Sequence, residues 1–294
     1  MKPSFTCFLL FLCAASTLAQ PVLPPAVPPY YRVRYEASTN AGELKLGVTY
    51  TLWVPPEAKR LRGVIVHQHG CGEGACKGGA TAPYDLHWQA LARKWDCALL
   101  GPSYHQRDQD NCAWWADPQQ GSDRAFQKAL ADLAGACGHS ELNKVPWVLW
   151  GHSGGGNWAG SMLLLHPERV VAVWLRSGAP RLISSDALVR ANLTTSSAAL
   201  AVPVMCNPGT KEREGRFAGA WKSAVGFFQD FRTRGGLVGL AVDPHSEHDC
   251  GGSRYLAIPW IDACLAARLP RRMGESLRPI MSHKKCVPCA WRIS

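Results

Sequence analysis

The chain has 294 residues, of which 47% are hydrophobic and 18% are charged, so it contains enough apolar material for one large core. Its 32 basic and 22 acidic residues leave a net charge of +10, but the Lys and Arg residues are scattered, so no nucleic-acid-binding surface is expected. After the N-terminal segment, no run approaches the length of about 18 apolar residues that a membrane span needs, so integral membrane association is not expected either.

The N-terminal segment, 1–19, has the pattern of a secretory signal peptide. Lys2 precedes an apolar run at 5–15, and the segment ends in Thr17-Leu18-Ala19 before Gln20, where cleavage is expected. The mature protein is therefore predicted to be secreted or periplasmic. The rest of the chain divides into a Pro-rich lead-in at 20–29, one domain at 30–270 and a basic tail at 271–294.

Two segments at the start of the domain, 31–35 and 48–54, alternate at period two and predict a pair of antiparallel strands. Beyond them, short apolar strands alternate with helical patterns. Strands are predicted at 64–66, 97–100, 145–150, 170–175, 200–205 and 237–242. Helices are predicted at 86–95, 123–134, 157–165, 216–232 and 255–269, the last kinked by Pro259. This alternation predicts an α/β fold with a mostly parallel central sheet and helices on both faces.

The most informative stretch is VPWVLWGHSGGGNWAGSM, from Val145 to Met162. An apolar strand runs into Gly151-His152-Ser153-Gly154-Gly155, and a helical pattern follows without a spacer. A serine at the apex of so tight a turn adopts a sparsely allowed backbone conformation, and flanking glycines make room for it. A phosphate-binding loop is the competing interpretation, but no Lys-Ser/Thr follows the glycines. The pattern therefore predicts the nucleophile elbow of a serine hydrolase.

A serine nucleophile needs a base, and the base needs an acid that fixes its tautomer. His248 lies in the loop after the last predicted strand and is the preferred base, with His245 of the same loop as its alternative. Glu212 follows the strand at 200–205 and is the preferred acid, but Asp243 is a rival that the sequence leaves open. The order nucleophile, acid, base is the one expected for this type of enzyme.

The flanking carboxylates Glu247 and Asp249 are weaker candidates for the acid, because residues adjacent to a histidine can hardly orient its ring. His152, within the elbow, is expected to be a packing residue.

The oxyanion of an acyl-transfer intermediate needs fixed N–H donors. Gly154, directly after the nucleophile, supplies one. The loop after strand 64–66 should supply the other, from Cys71 with Gly72 as second choice. His67 and His69 could instead bind a metal with a histidine of the late loop, but no acidic cluster accompanies them, so neither a metal nor another cofactor is expected.

Three tryptophans lie near the predicted site. Trp114 and Trp115 occupy a loop, and Trp158 follows the elbow. Their rings could stack on a sugar or an aromatic acyl group, and packing in the core is the competing interpretation.

Twelve cysteines include two in the predicted signal peptide, which leaves an even number of ten in the mature chain and favours disulfides. Connectivity does not follow from the sequence. Bridges are plausible among the cysteines of loops near the site, which are Cys71, Cys76, Cys112 and Cys250. Buried thiols are equally plausible for the cysteines of apolar runs, which are Cys97, Cys206 and Cys264. The tail is expected to be either disordered or stapled by the pair Cys286 and Cys289.

The segments VIVHQHGCG, WGHSGGGNWAG and SEHDCGGSRYLAIP resemble the α/β-hydrolase superfamily, and the resemblance covers roughly 30–270. It is closer to exported bacterial members than to polyhydroxyalkanoate depolymerases and feruloyl esterases, whose HGCG motif implies Cys71 as an oxyanion donor. The chain departs from the superfamily in having Glu212 where Asp is more frequent, and in a short insertion after strand 170–175.

These features predict a secreted serine hydrolase that acts on a small-molecule or polymeric carboxylic ester. The main alternative is a non-catalytic protein of the same fold that binds a carbohydrate or a partner through its Trp-rich loops. A metal-dependent hydrolase is the third possibility. The sequence does not specify the acyl group, the alcohol group or the oligomeric state.

Overall fold

A computed structural model of the protein describes residues 23–107, 109–180, 195–272 and 274–280. The predicted signal peptide at 1–19 and the pair Cys286 and Cys289 lie outside the described residues.

The strands of the described chain form one eight-stranded sheet in the order β1-β2-β4-β3-β5-β6-β7-β8. The strands are β1 Tyr30–Tyr35, β2 Val48–Trp53, β3 Gly63–Gln68, β4 Cys97–Tyr104, β5 Trp147–His152, β6 Val170–Arg176, β7 Val204–Asn207 and β8 Val238–Leu240. β1 pairs antiparallel with β2, and β2 pairs antiparallel with β4. The remaining pairs are parallel, so the predicted mostly parallel sheet is confirmed.

Helices cover both faces of this sheet. They are α1 Gly78–Thr81, α2 Leu86–Lys94, α3 Ala113–Ala116, α4 Ser122–Cys137, α5 Gly154–Leu165, α6 Ser197–Leu200, α7 Ala218–Thr233 and α8 Arg254–Arg268. One core cluster contains Phe126 of α4, Trp158 of α5 and Phe227 of α7. The other contains Trp88 of α2 and Ile261 of α8. A core on each face explains why the central strands are continuously apolar rather than alternating.

Strand β3 shows why a central strand is apolar at every position. Val64 and Val66 pack into the first core cluster, whereas Ile65 between them packs into the second. Successive side chains of a strand point to opposite faces, so an apolar residue is needed at every position.

Several predicted boundaries were wrong. β7 begins at Val204 rather than at 200, because the Ser196 hydroxyl accepts the Ala199 N–H at 3.1 Å and begins the one-turn helix α6. β4 continues to Tyr104, although Gly101-Pro102 looks like a strand end, because its antiparallel partner β2 pairs with it as far as Val48. β8 is shorter than the apolar run that predicted it.

The closing helix α8 contains Pro259, as expected. Within the described parts of the chain, no helix has the length and apolar character that crossing a membrane requires.

Candidate active site

Ser153 lies at the junction of β5 and α5 with φ 55° and ψ −120°, a conformation that side-chain-bearing residues rarely adopt. Its N–H donates to the carbonyl of Arg176 at 2.9 Å, and its own carbonyl accepts the Gly156 N–H at 2.9 Å. The backbone of Gly178 passes so close to Ser153 that a side chain at Gly178 would collide with the serine carbonyl. These contacts hold the strained turn and support the predicted elbow.

Three side chains from separate segments meet above this turn. The Ser153 hydroxyl lies 2.8 Å from Nε2 of His248, and Nδ1 of the same ring lies 2.5 Å from Oε1 of Glu212. The structure therefore brings together the three residues that the sequence selected. The side chain of Glu212 is fully buried, and that of His248 is 10% exposed. Ser153 and His248 are thus positioned for proton transfer, with the imidazole held by the carboxylate.

Glu212 ends a short 3₁₀ turn that follows β7. Its second oxygen accepts the Gly209 N–H at 2.9 Å, so both carboxylate oxygens have partners. The neighbouring Thr210 N–H donates to the carbonyl of Asp243 at 2.9 Å. This bond ties the turn that carries the acid to the loop that carries the histidine.

The alternative residues lie elsewhere. Asp243 accepts the His245 N–H at 3.1 Å and does not contact the His248 ring, and its other oxygen lies 3.9 Å from the Arg176 guanidinium. The side chain of His245 is exposed. Glu247 lies 3.7 Å from the Lys211 ammonium, on the solvent side of the loop. The geometry therefore favours Glu212 and His248 over these rivals.

The imidazole of His248 lies between two other rings. The ring of Phe217 stacks on it nearly parallel, with centroids 4.0 Å apart and an interplanar angle of 9°. The ring of His152 lies 5.0 Å away, at an angle of 43°. Sequence reasoning did not identify Phe217, because it lies in an irregular turn before α7 with no motif around it.

Three further histidines lie behind the site. Burial lowers the pKa of His69 to about 4 and that of His152 to about 3. Burial also holds the pKa of His67 well below its ordinary value, and this ring packs 3.8 Å from the Trp150 ring. All three rings are therefore neutral at neutral pH, and His152 has the packing role that was expected of it.

The loop after β3 lies against the nucleophile. A Cβ at Gly70 would lie 2.8 Å from Cβ and 3.3 Å from Oγ of Ser153, so only glycine lets the loop come this close. Within the described residues, the N–H groups of Cys71 and Gly154 have no hydrogen-bond acceptor, whereas Gly72 donates to Gln106 Oε1 at 3.3 Å. Two N–H groups without a partner beside Oγ fit an oxyanion hole, and the engaged Gly72 favours Cys71 as the loop donor.

Cys71 is linked to Cys112 by a disulfide that spans 41 positions of sequence. The bridge packs directly on Gly154, where a Cβ would collide with the Cys71 sulfur and lie 2.9 Å from the Cys112 sulfur. Cys76 and Cys250, the other two cysteines of this region, are not bridged within the described chain. A structural disulfide is typical of proteins in oxidising compartments.

The sequence left disulfides and buried thiols equally open for Cys97, Cys206 and Cys264. All three are buried and unbridged within the described residues.

Two of the three tryptophans predicted to bind substrate are core residues. Trp115 is fully buried, stacks on Tyr104 and donates its indole N–H to Gln106 at 2.7 Å. Trp158 is 1% exposed and packs edge-on against Phe126. The expected substrate contact is therefore wrong for both residues. Trp114 is partly exposed, with the Lys45 ammonium 5.8 Å from its ring centroid.

The proposed metal alternative finds no geometric support at its histidines. Nε2 of His69 contacts the Thr81 hydroxyl at 3.0 Å, and both nitrogens of His248 have protein partners. Over the described ranges, no group of three His, Cys, Asp or Glu side chains converges as metal ligands would.

No protein-family model and no curated protein matches the sequence. Solved structures do match. The chain is similar to poly(aspartic acid) hydrolase-1 from Sphingomonas sp. KT-1, with 16% identity over 78% of this chain and 97% of that one and a TM-score of 0.55. It is also similar to a ferulic acid esterase, with 14% identity over 80% of this chain and 98% of that one and a TM-score of 0.54. The protein therefore has the α/β-hydrolase fold, as the motifs predicted.

Proposed function

We propose that the protein is an exported serine hydrolase that cleaves carboxylic esters through an acyl-enzyme intermediate. The observation that carries this proposal is the continuous hydrogen-bonded series from Ser153 through His248 to Glu212, set on a strained turn at the carboxyl edge of the sheet. A buried carboxylate, an imidazole and a hydroxyl in this order are the parts that serine nucleophilic catalysis requires.

Each residue of the site has its own role in the proposed reaction. Ser153 Oγ attacks the ester carbonyl carbon while His248 Nε2 accepts the hydroxyl proton, and Glu212 stabilises the imidazolium. The N–H groups of Gly154 and Cys71 bind the developing oxyanion. The intermediate then expels the alcohol, which takes the proton from His248. Water attacks the acyl-enzyme with His248 as the base, and the acid and free Ser153 are released.

The two similar structures described above, with TM-scores of 0.55 and 0.54, are named for hydrolytic reactions, one on poly(aspartic acid) and one on ferulic acid esters. Their names support hydrolysis of a carboxylic acid derivative. They name different substrates, a polymeric amide and an ester, so they support hydrolysis without selecting an acyl group.

Export is supported by two independent features. The segment 1–19 has the pattern of a signal peptide, and the disulfide between Cys71 and Cys112 suits an oxidising compartment. Expression of the full chain in a secreting bacterium should yield a mature protein that begins at Gln20. A cytoplasmic protein that retains the segment would contradict export without affecting the proposed chemistry.

The test of the chemistry compares the wild-type protein with Ser153→Ala on p-nitrophenyl acetate and butyrate, together with labelling by a fluorophosphonate probe. The Ala variant should lose about 10³-fold or more of kcat and all labelling, because only the oxyanion donors and binding remain. Ser223→Ala is the matched control, since that hydroxyl donates only to a helix carbonyl, that of Ala220.

Two outcomes would reject the proposal. A folded wild-type protein that neither turns over esters nor reacts with the probe would favour the non-catalytic binding protein. Activity that survives in Ser153→Ala and disappears with a chelator would favour the metal-dependent hydrolase.

A further inference from the structure

Arg176, the last residue of β6, has a fully buried side chain. Burying a guanidinium is costly unless its charge and N–H groups are compensated. The nearest carboxylate oxygens, on Asp243 and Asp249, lie 3.9 Å away, too far for hydrogen bonds. These two carboxylates compensate the charge, whereas the hydrogen bonds of the guanidinium go to neutral acceptors.

These acceptors surround the proposed base. The Arg176 Nε donates to the Asp249 carbonyl at 2.8 Å, and Nη2 donates to the Ser246 hydroxyl at 2.6 Å and to the Glu247 carbonyl at 3.5 Å. One rigid planar group thus holds residues on both sides of His248. A lysine ammonium is a single point with three donors, so it could not bridge the same positions.

The same residue also contacts the segments that carry the other two members of the triad. Its backbone carbonyl accepts the Ser153 N–H at 2.9 Å, at the apex of the elbow. Its Nη1 donates to the carbonyl of Asn207 at 2.9 Å, at the end of β7 from which the turn with Glu212 departs. All three catalytic segments therefore meet at one residue.

We propose that Arg176 is the positioning residue of the triad, fixing the loop 246–249 at the height where His248 Nε2 meets Ser153 Oγ. The inference depends on the proposed function, because it concerns the same triad. The loop contains neither helix nor strand, and a backbone bond from the Lys211 N–H to the Ser246 carbonyl at 3.3 Å holds one end of it, so the contacts of Arg176 on both sides of His248 supply much of the remaining restraint. A displacement of about 1 Å between reacting groups can cost about 100-fold in rate, so the position of this loop matters for catalysis.

A second buried arginine, which lies on helix α8 and contacts the same strand, provides the matched control. Arg268 of α8 is 5% exposed and donates to the carbonyls of Ala201 at 3.0 Å and Val170 at 3.3 Å. Val170 begins β6, so Arg268 lies at the end of the strand opposite Arg176. Both arginines bind backbone carbonyls, but only Arg176 contacts the catalytic segments.

The experiment measures kcat, KM and melting temperature of Arg176→Met, Arg176→Lys, Ser246→Ala and Arg268→Met, with active sites counted by fluorophosphonate titration. Arg176→Met should lose about 100-fold in kcat per folded molecule with KM within about threefold of wild type, because only positioning is lost. Arg176→Lys should recover part of this loss. Ser246→Ala should lose about threefold to tenfold, and Arg268→Met should melt earlier with kcat within about twofold of wild type.

The inference is overturned if Arg176→Met and Ser246→Ala keep wild-type kcat per folded molecule, or if Arg268→Met loses as much kcat as Arg176→Met. If Arg176→Met does not fold, the kcat values of Arg176→Lys and Ser246→Ala test the inference by the same criteria. A wild-type protein without esterase activity would reject the proposed function instead, and the two failures are thereby distinguished.

Discussion

The two ends of the parallel strands differ in how their polar groups are satisfied. At the amino ends, Val64, Trp147 and Val204 donate their N–H groups to the carbonyl of the residue directly before the neighbouring strand, at 3.0, 2.7 and 2.8 Å. The sheet begins there with ordinary backbone pairing among apolar side chains. At the carboxyl ends, Ser153 and Ser177 have positive φ angles of 55° and 51°.

The carboxyl ends also bury charged or titratable side chains. His67, Arg176 and Glu212 are all buried there. Backbone strain and buried polar groups each cost on the order of 1–3 kcal/mol, and they persist where function requires them. Most of the strained and buried groups named above lie at this edge, although Asp96 before β4 also has a φ of 51° and Arg268 is buried at the amino end of β6. The following variants test which groups of the carboxyl edge serve chemistry.

The largest effect is expected for Glu212→Gln. The amide keeps the shape of the carboxylate but no longer stabilises the imidazolium or fixes the required tautomer of His248. The expected loss in kcat is about 10³-fold to 10⁴-fold with KM little changed, measured on a p-nitrophenyl ester. The matched control is Glu247→Gln, an exposed carboxylate adjacent to the histidine, which should stay within about twofold of wild type. If Glu212→Gln and Glu247→Gln lost kcat equally, the proposal that Glu212 is the acid of the triad would be rejected.

This part of the site could be predicted because it depends on strand ends. The carboxyl ends of parallel strands share one edge, so a serine after β5, an acid after β7 and a histidine after β8 must lie close together. The choice of Glu212 over Asp243 did not follow from the sequence, since both come after adjacent strands. The contact that distinguishes the two acids is the Glu212–His248 hydrogen bond. It depends on a 3₁₀ turn that no sequence motif predicts.

The second effect is expected for Cys112→Ser, which breaks the disulfide that holds the loop with Cys71 against Gly154. The proposed oxyanion donor Cys71 loses its fixed position, so kcat should fall about 10-fold to 100-fold, less than the full loss of a donor. The melting temperature should also fall, because a bridge across 41 positions contributes at most about 4 kcal/mol by restricting the unfolded chain.

The control for the disulfide is Cys76→Ser, which removes a free thiol from the same loop. It should change neither kcat nor melting temperature appreciably. If Cys112→Ser lost stability while keeping full kcat, the bridge would serve the fold alone and Cys71 would lose its support as a donor.

Features that depend on tertiary packing could not be predicted. Trp114 and Trp115 are adjacent in the sequence, but the one-turn helix α3 buries Trp115 against Tyr104 and leaves Trp114 partly exposed. In the sequence, Arg176 is a polar residue at the end of an apolar strand. No residue adjacent to it in the sequence indicates that loop 246–249 will cover it. Periodicity predicts which face an element buries, whereas it does not predict which loop folds over a strand end.

The third effect is expected for Phe217→Leu, which removes the ring stacked on His248. An aromatic pair contributes about 0.5–1.5 kcal/mol, so kcat should fall about threefold to tenfold as the imidazole gains freedom. Phe217→Tyr keeps the stack and should retain activity. Tyr255→Leu removes another exposed ring, 74% exposed on α8, and should have no effect on kcat. If Phe217→Leu had the same kcat as Phe217→Tyr, the stacked ring would not be needed for activity.

The smallest effect on activity is expected for His67→Phe, at a buried group that the proposed chemistry does not use. Burial holds the pKa of His67 well below its ordinary value of 6.5. Below pH 6.5 the unfolded chain therefore binds a proton that the folded protein does not, and the free energy of unfolding falls with falling pH. One such group contributes at most about 1.4 kcal/mol per pH unit.

Urea unfolding at pH 7 and pH 5 measures this effect. His67→Phe should lose less stability than wild type over that interval, with kcat within about twofold at pH 7. His87→Phe, at a 67% exposed position, should keep the wild-type pH dependence. An unchanged pH dependence in His67→Phe would mean that this ring is protonated in the folded protein. A large loss of kcat in His67→Phe would instead show that the buried His67 ring contributes to catalysis.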